Sequence, residues 1–246
     1  MANGLGDFVK GVICIAKKDA RIYYFKPQIF GFGILIPGFV YLSFSLGRQI
    51  PNDLLIPGLV AMISLFSASS IEAIAIPIER QTGTYELLQT APITTATIIF
   101  GKSLAGSAFG ITLSLLTAIG AMLLTGGTIA NPFLFALAVI LGSFAFSALG
   151  ILVAAAAKDM PTANISLTAI RLPMIFIGGV FQPVQTSPLQ LRIIAYLTPL
   201  SYLVDALREA MVTTDIMFGV DLIVVLAWFA VLQMFAIMVL DRRTNV

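Results

Sequence analysis

Histidine is absent from the 246-residue sequence, and cysteine occurs once, at Cys14. The first absence removes imidazole from any mechanism, both as an activator of nucleophiles and as a metal ligand. The second rules out an internal disulfide and a thiolate metal cluster. Charge is scarce as well: 11% of residues are Asp, Glu, Lys or Arg, against about 25% in an average soluble domain. The net charge of +2 gives no reason to expect nucleic acid as a partner. What fills the sequence instead is apolar, at 59% hydrophobic residues with 18 Phe and a mean hydropathy of +1.00. Such a chain cannot present a water-facing surface, and it is the opposite of a disordered composition. It is an integral membrane protein.

The gaps between charged residues locate the spans. Uncharged windows run over 27–47, 54–71, 103–157, 172–191 and 222–240. A helix crossing ~30 Å of hydrocarbon needs roughly 20 apolar residues, so the window 103–157 holds two spans. Its break is written in Thr125-Gly126-Gly127-Thr128 and Asn131-Pro132. The expectation is an all-α membrane protein with six spans near 28–47, 54–77, 98–124, 132–157, 163–182 and 219–240. With both termini on the cytoplasmic side, Lys10, Lys17, Lys18, Arg21, Lys26, Arg80, Lys102, Lys158, Arg242 and Arg243 lie inside. Only Arg48, Arg192 and Arg208 lie outside, with Arg171 within a span. That is the positive-inside pattern.

Several segments are not plain spans. Over residues 5–21, Leu5, Phe8, Val9, Val12, Ile13 and Ala16 share one helical face. Asp7, Lys10, Lys17, Lys18 and Arg21 share the other, as in a helix lying in the headgroup layer. In the inner loop, Gly83-Thr84 reads as a break and N-cap, Glu86 sits in the first helical turn, and Pro92 ends a short helix. Tyr85, Leu87 and Leu88 give that helix an apolar side, and so short a helix needs something to dock against. Gly101-Lys102-Ser103 lacks the glycine-rich turn of a phosphate loop and follows no strand, which leaves Lys102 as a cation snorkelling to the inner face. Gly106-x-x-x-Gly110 allows close helix approach. Glu72 and Arg171 lie inside spans, both roughly 10–13 Å from their cytoplasmic helix ends. The expectation is that they pair or face a wet cavity.

The loop Glu79-Arg80-Gln81-Thr82-Gly83-Thr84-Tyr85-Glu86-Leu87-Leu88, with Pro92-Ile93 after it, closely resembles the inner loop of ABC type 2 exporter permeases. Gly101-Lys102 and the stretch Pro183, Pro188, Ile194 to Tyr202 and Ala206-Leu207-Arg208 are similar to the same family. The resemblance covers essentially the whole chain, as a single transmembrane domain over 1–246. It implies that residues 5–21 are a connecting helix and that 79–93 are a cytoplasmic coupling helix. Glu79, Arg80, Gly83, Thr84, Glu86, Leu87, Leu88 and Pro92 would then engage an ABC ATP-binding subunit. It implies short re-entrant helices over 183–214, with Pro188, Pro199 and Arg208 at an outer gate. It further implies a second permease copy or paralogue, no cofactor in this chain, and ATP with Mg on the partner. The setting would be a prokaryotic plasma membrane, with lipid as a further contact. The cargo would be a drug, lipid or lipid-linked glycan leaving the cytoplasm. The resemblance carries over no cargo-contacting residue; from the residues themselves, Met62, Phe66, Met174, Phe176 and Phe181, around Glu72 and Arg171, are expected to line a greasy, adaptable pathway.

Two other readings stay open at this level. A membrane-embedded enzyme acting on lipid substrates would draw on Glu72, Glu79, Glu86 and Asp159, but the sequence offers no His and no Asp-rich run. An ion-coupled transporter would use Glu72 as its proton site, with Arg171 beside it.

Overall fold

The computed structural model describes residues 5–45, 51–212 and 216–244, and among these every regular element is helical. The order is α1 (Leu5–Tyr23), α2 (Pro27–Phe30), a π turn (Gly31–Leu35), α3 (Ile36–Ser45), α4 (Asn52–Gln81) and α5 (Thr84–Thr90). It continues with α6 (Thr95–Thr125), α7 (Pro132–Ala156), α8 (Met160–Ile177), α9 (Leu189–Ala195), α10 (Pro199–Val212) and α11 (Ile216–Thr244). A 3-10 turn, Val184–Thr186, precedes α9.

Among the described residues, five helices are long and apolar enough to cross a membrane: α4, α6, α7, α8 and the stretch Met217–Asp241 of α11. The first expected span differs. Residues 27–45 are helical but broken by the π turn, and residues 46–47 lie outside the described residues. Pro37 explains the break. A proline ring collides with the carbonyl four residues earlier, here Gly33, and a wider turn relieves that collision. The loop expected at 125–132 forms as read: α6 ends at Thr125, Gly126 takes the left-handed conformation at φ +68°, and Pro132 opens α7. The fifth span is shorter than expected, ending at Ile177 before Gly178 and Gly179 rather than at 182. Its start is fixed by Asp159, whose carboxylate accepts from the Thr162 N–H at 2.8 Å. The bonds from Thr162 hold the Asp159 carboxyl below the usual carboxylate range.

The core is built around α4, which packs against α6, α7, α8 and α10. Its middle is buried without interruption from Val60 to Pro77. Small residues make that possible. A Cβ added at Gly110 would lie 2.6 Å from the Ala68 Cβ, one at Gly106 would lie 2.7 Å from the Ala68 carbonyl oxygen, and one at Gly150 would lie 2.8 Å from the Ser69 Cα. The Gly106-x-x-x-Gly110 seam therefore works within the chain, seating α6 on α4.

Residues 183–212 fold as the 3-10 turn, α9 and α10, while 213 and 214 lie outside the described residues. Pro188 precedes α9 and Pro199 opens α10. Arg208 donates to the Gly179 carbonyl and pairs with Asp205 at 3.5 Å. It thereby ties α10 to the end of α8.

Gly110→Val is expected to cost about 1–3 kcal/mol, because two backbones must separate. The control Gly120→Ala, where nothing stands within 4 Å of the added carbon, is expected to leave stability unchanged or slightly raised. Thermal unfolding of the two variants in detergent checks the contrast.

Candidate functional site

Five charged residues, Lys18, Asp19, Glu72, Glu79 and Lys102, converge on one point. Lys102, on the second turn of α6, is completely buried. Its Nζ lies 3.0 Å from Asp19 Oδ2 on α1, 2.8 Å from Glu79 Oε2 and 3.8 Å from Glu72 Oε2, both on α4. Lys18 adds a second cation, 2.8 Å from Asp19 and bound to Glu79. Three carboxylates thus share two ammonium groups. Glu72 is the odd member: it is fully buried, and neither of its oxygens has a hydrogen-bond partner among the described residues. The Tyr23 hydroxyl lies 3.5 Å from Glu79 Oε1. Burial, reinforced by the Glu79 carboxylate, pushes that phenol well above its ordinary pKa.

This cluster corrects two expectations, the surface position of Lys102 and the end of α4 at 77, and it sets the position of Glu79. Lys102 does not snorkel to the surface, because carboxylates surround it where water would otherwise be needed. Glu79, read as a coupling residue, is 2% exposed and faces inward. The helix carrying it runs on to Gln81 instead of ending at 77, since Glu79 is tied to α1 and α6. Arg80 also anchors that end, donating to the Ala155 and Ala157 carbonyls at 3.2 and 3.4 Å.

The amphipathic helix α1 is likewise more than a surface anchor. Ile15, Asp19 and Tyr23 are buried, and the seam with α6 is close: Cβ atoms added at Gly11 and Gly101 would lie 2.7 Å from Thr97 Cγ2 and Ile15 Cβ. Val9 and Ile13 remain exposed beside it. Sequence periodicity found the apolar face but missed Asp19, whose place on that seam was the available signal.

The loop helix α5 follows Gly83, which sits at φ +71° as the N-cap in place of Thr84. Thr84 is the first helical residue, and its hydroxyl donates back to the Glu79 carbonyl at 3.3 Å. Tyr85 is buried, with Arg80 over its ring at 5.6 Å. Burial raises the Tyr85 pKa, against the opposing pull of Arg80. Leu88 is half-buried, whereas Gly83, Thr84, Glu86, Leu87 and Pro92 are exposed, Leu87 at 67%. A groove of about 240 Å³ opens between α1 and α5, lined by Ile22, Tyr23, Thr84, Leu87 and Leu88 with Lys18 and Glu79 at its charged edge.

Glu72 and Arg171 do not pair. Arg171, also fully buried, donates from Nε to Ser69 Oγ at 3.0 Å and from Nη2 to Ser70 Oγ at 3.1 Å and the Phe66 carbonyl at 3.3 Å. Its guanidinium stacks over the Phe66 ring at 4.8 Å, and Nη1 has no hydrogen-bond partner among the described residues. Serines of α4, within a helical turn of Glu72, receive the arginine in place of a carboxylate. Of the expected path residues, Met62 and Phe66 are core residues with no exposed surface, and Met174 is 7% exposed. Phe176 is half exposed, with its ring 6.0 Å from that of Phe181.

The ABC-2 type transporter profile matches residues 12–212. The chain belongs to the ABC-2 type transporter family. It is therefore a multi-pass membrane permease of the ABC transporter class. Two curated relatives carry the name "Probable multidrug ABC transporter permease YbhR", one from Escherichia coli (strain K12) and one from Escherichia coli O157:H7. Each is 24% identical over 158 residues, covering 63% of this chain and 42% of the relative. The aligned stretch thus spans less than half the length of these relatives.

Lys102→Met would leave Asp19, Glu72 and Glu79 facing one another without their central cation. Removing one partner of a buried ion pair costs about 3–5 kcal/mol, so the variant is expected to melt earlier and release α1 to protease. Adding Asp19→Asn is expected to restore part of the loss. Limited proteolysis and thermal unfolding of the single and double variants read both effects.

Proposed function

We propose that this chain is the membrane half of an ATP-driven exporter, in which two permeases form the pathway and each docks a separate ATP-binding subunit. The observation that carries the reading is the α1–α5 groove with Leu87 raised beside it. A leucine 67% exposed on a seven-residue helix gains by being covered. The helix itself cannot stand alone in water, so a partner surface is the natural cover. ATP and Mg belong to that partner. The contact residues are the exposed Gly83, Thr84, Glu86, Leu87 and Pro92 with the rim of Leu88. Glu79 and Arg80 act behind them by holding α5 to the spans.

The broken helix 27–45 serves as the first of six spans. Both termini face the cytoplasm in a prokaryotic cell membrane, as the distribution of Lys and Arg supports. Residues 183–212, with α9 exposing Leu189, Leu191 and Ile193, form the re-entrant segment at the outer mouth, and Pro188, Pro199 and Arg208 frame it. The cargo is hydrophobic or amphipathic: a drug, a lipid or a lipid-linked glycan. The relatives' name supports the first. Arg171, a buried cation facing no carboxylate, favours an anionic amphiphile once α4 and α8 part.

The test is co-purification with the ABC ATP-binding subunits of the same cell. Leu87→Asp is expected to reduce the stoichiometric complex at least about tenfold, the loss of ~1.4 kcal/mol or more at a buried anchor, with thermal stability unchanged. Glu79→Ala is expected to weaken the complex only together with stability. A wild-type chain that transports alone and binds no cellular ATPase would overturn the reading.

A further inference from the structure

The outward side of α1 takes no part in the contacts described above. Lys10, Lys17 and Arg21 are exposed there. Spaced seven and four residues apart, they share the side of the helix opposite its docked residues Ile15, Asp19 and Tyr23. None of the three has an ion-pair partner among the described residues, and Asp7 is the only exposed acid on the same helix. Val9 and Ile13, one turn apart and each about half exposed, lie between this cationic row and the docked face. Lys18 and Ile22 fall on the other flank, where they line the α1–α5 groove. Around its circumference α1 therefore turns one side to the spans, one to that groove, an apolar strip away from the groove, and its free cations outward.

The strip and the row make opposite demands. Aliphatic side chains gain by leaving water, whereas an unpaired ammonium loses heavily by following them. The boundary of a bilayer meets both, with short apolar side chains in the acyl region and long cationic ones reaching the phosphates. The surroundings agree. Phe8 packs edge-on against Phe100 of α6 at 5.9 Å, and Phe100 continues into an apolar groove walled by Phe229, Met234 and Met238 of α11. α1 thus lies at the edge of a hydrocarbon-facing surface. A zwitterionic headgroup brings its own cation with every phosphate, so three unmatched cations call for heads of net negative charge. We infer that this side of α1 is a binding surface for anionic phospholipid, with Lys10, Lys17 and Arg21 on the headgroup phosphates and Val9 and Ile13 among the acyl chains beside them. Lipid then holds α1 from outside, as the Asp19–Lys102 pair holds it from within. The inference stands independently of the ATP-binding partner, whose proposed contact is on the other flank.

The experiment uses the full chain in liposomes that are always about one-fifth dioleoylphosphatidylglycerol, the remainder being dioleoylphosphatidylcholine. Trp228→Phe removes the single tryptophan, and Ile13→Trp places a reporter on the apolar strip, between Lys10 and Lys17. Bromine is carried on the acyl chains either of the anionic lipid or of an equal amount of the zwitterionic one, so that surface charge and bromine content stay fixed. The anionic lipid is expected to quench as though enriched about fivefold around the reporter, the equivalent of the ~1 kcal/mol that one cation contributes near an anionic surface. The combined substitution Lys10→Gln, Lys17→Gln and Arg21→Gln is expected to bring that enrichment to about one, and an enrichment that survives it overturns the proposal. Equal quenching by the two brominated lipids with the cations intact overturns it as well, and that comparison needs no change to the row. A reporter quenched by neither lipid also overturns it, in favour of water or another protein chain against this side of α1.

Discussion

A single ammonium group, that of Lys102, joins three helices at one buried point. Its partners are Asp19 on α1 and Glu72 and Glu79 on α4, while the lysine itself belongs to α6. Charges taken out of water repel or attract strongly, so each carboxylate depends on the cation and the cation on all of them. The consequence is geometric as much as energetic. The amphipathic helix cannot drift in the headgroup layer, and the C-terminal turn of α4 cannot fray into the loop. Because α5 begins three residues after α4 ends, its orientation is inherited from the same cluster.

Above that cluster the packing obeys a different rule. Hydrocarbon gives helices no hydrophobic reason to associate, so close contact and internal polar bonds must supply it. α4 meets that need with alanine and serine, and its neighbours with glycine. Gly106 and Gly110 bring α6 close to Ala68, and Gly150 brings α7 against Ser69. The serine hydroxyls largely bond within their own helix, Ser67 to Ile63 and Ser70 to Phe66, while Ser64 meets Ser143 across to α7 at 3.0 Å. Arg171 then uses Ser69 and Ser70 as acceptors. The guanidinium is accommodated by oxygens that carry no formal charge, which leaves Glu72 without an arginine.

The difference between what the sequence disclosed and what it hid follows from the range of each signal. Periodicity and turn chemistry are local, and they placed α1, the break at Gly126, the ends of α6 and α7, and the close approach at Gly106 and Gly110. Counting along a helix also gives an approximate distance from its end, which is how Glu72 and Arg171 come to be expected as partners. Partnership depends on how each helix is rotated about its axis, which no count along one chain supplies. That is why Lys102 reads as a snorkelling cation near a helix end, why Glu79 reads as an exposed loop acid, and why the serines that receive Arg171 went unremarked. The π turn before Pro37 was hidden for a related reason: composition describes 27–45 as one apolar run, and only the collision at Gly33 breaks it.

Coupling between a cytoplasmic motor and a membrane pathway requires that a push on a short loop move long helices rather than bend the loop. Seven residues of α5 on a glycine at φ +71° would bend if they hung from the spans by the backbone alone. Here Tyr85 is buried under Arg80, Arg80 is bound to the end of α7, and Glu79 is bound to α1 and α6. A force on Leu87 is therefore shared among four helices within two turns of its origin. The buried charge is costly, and it is placed where rigidity is worth that cost, at the joint between the part that would be pushed and the parts that would have to tilt.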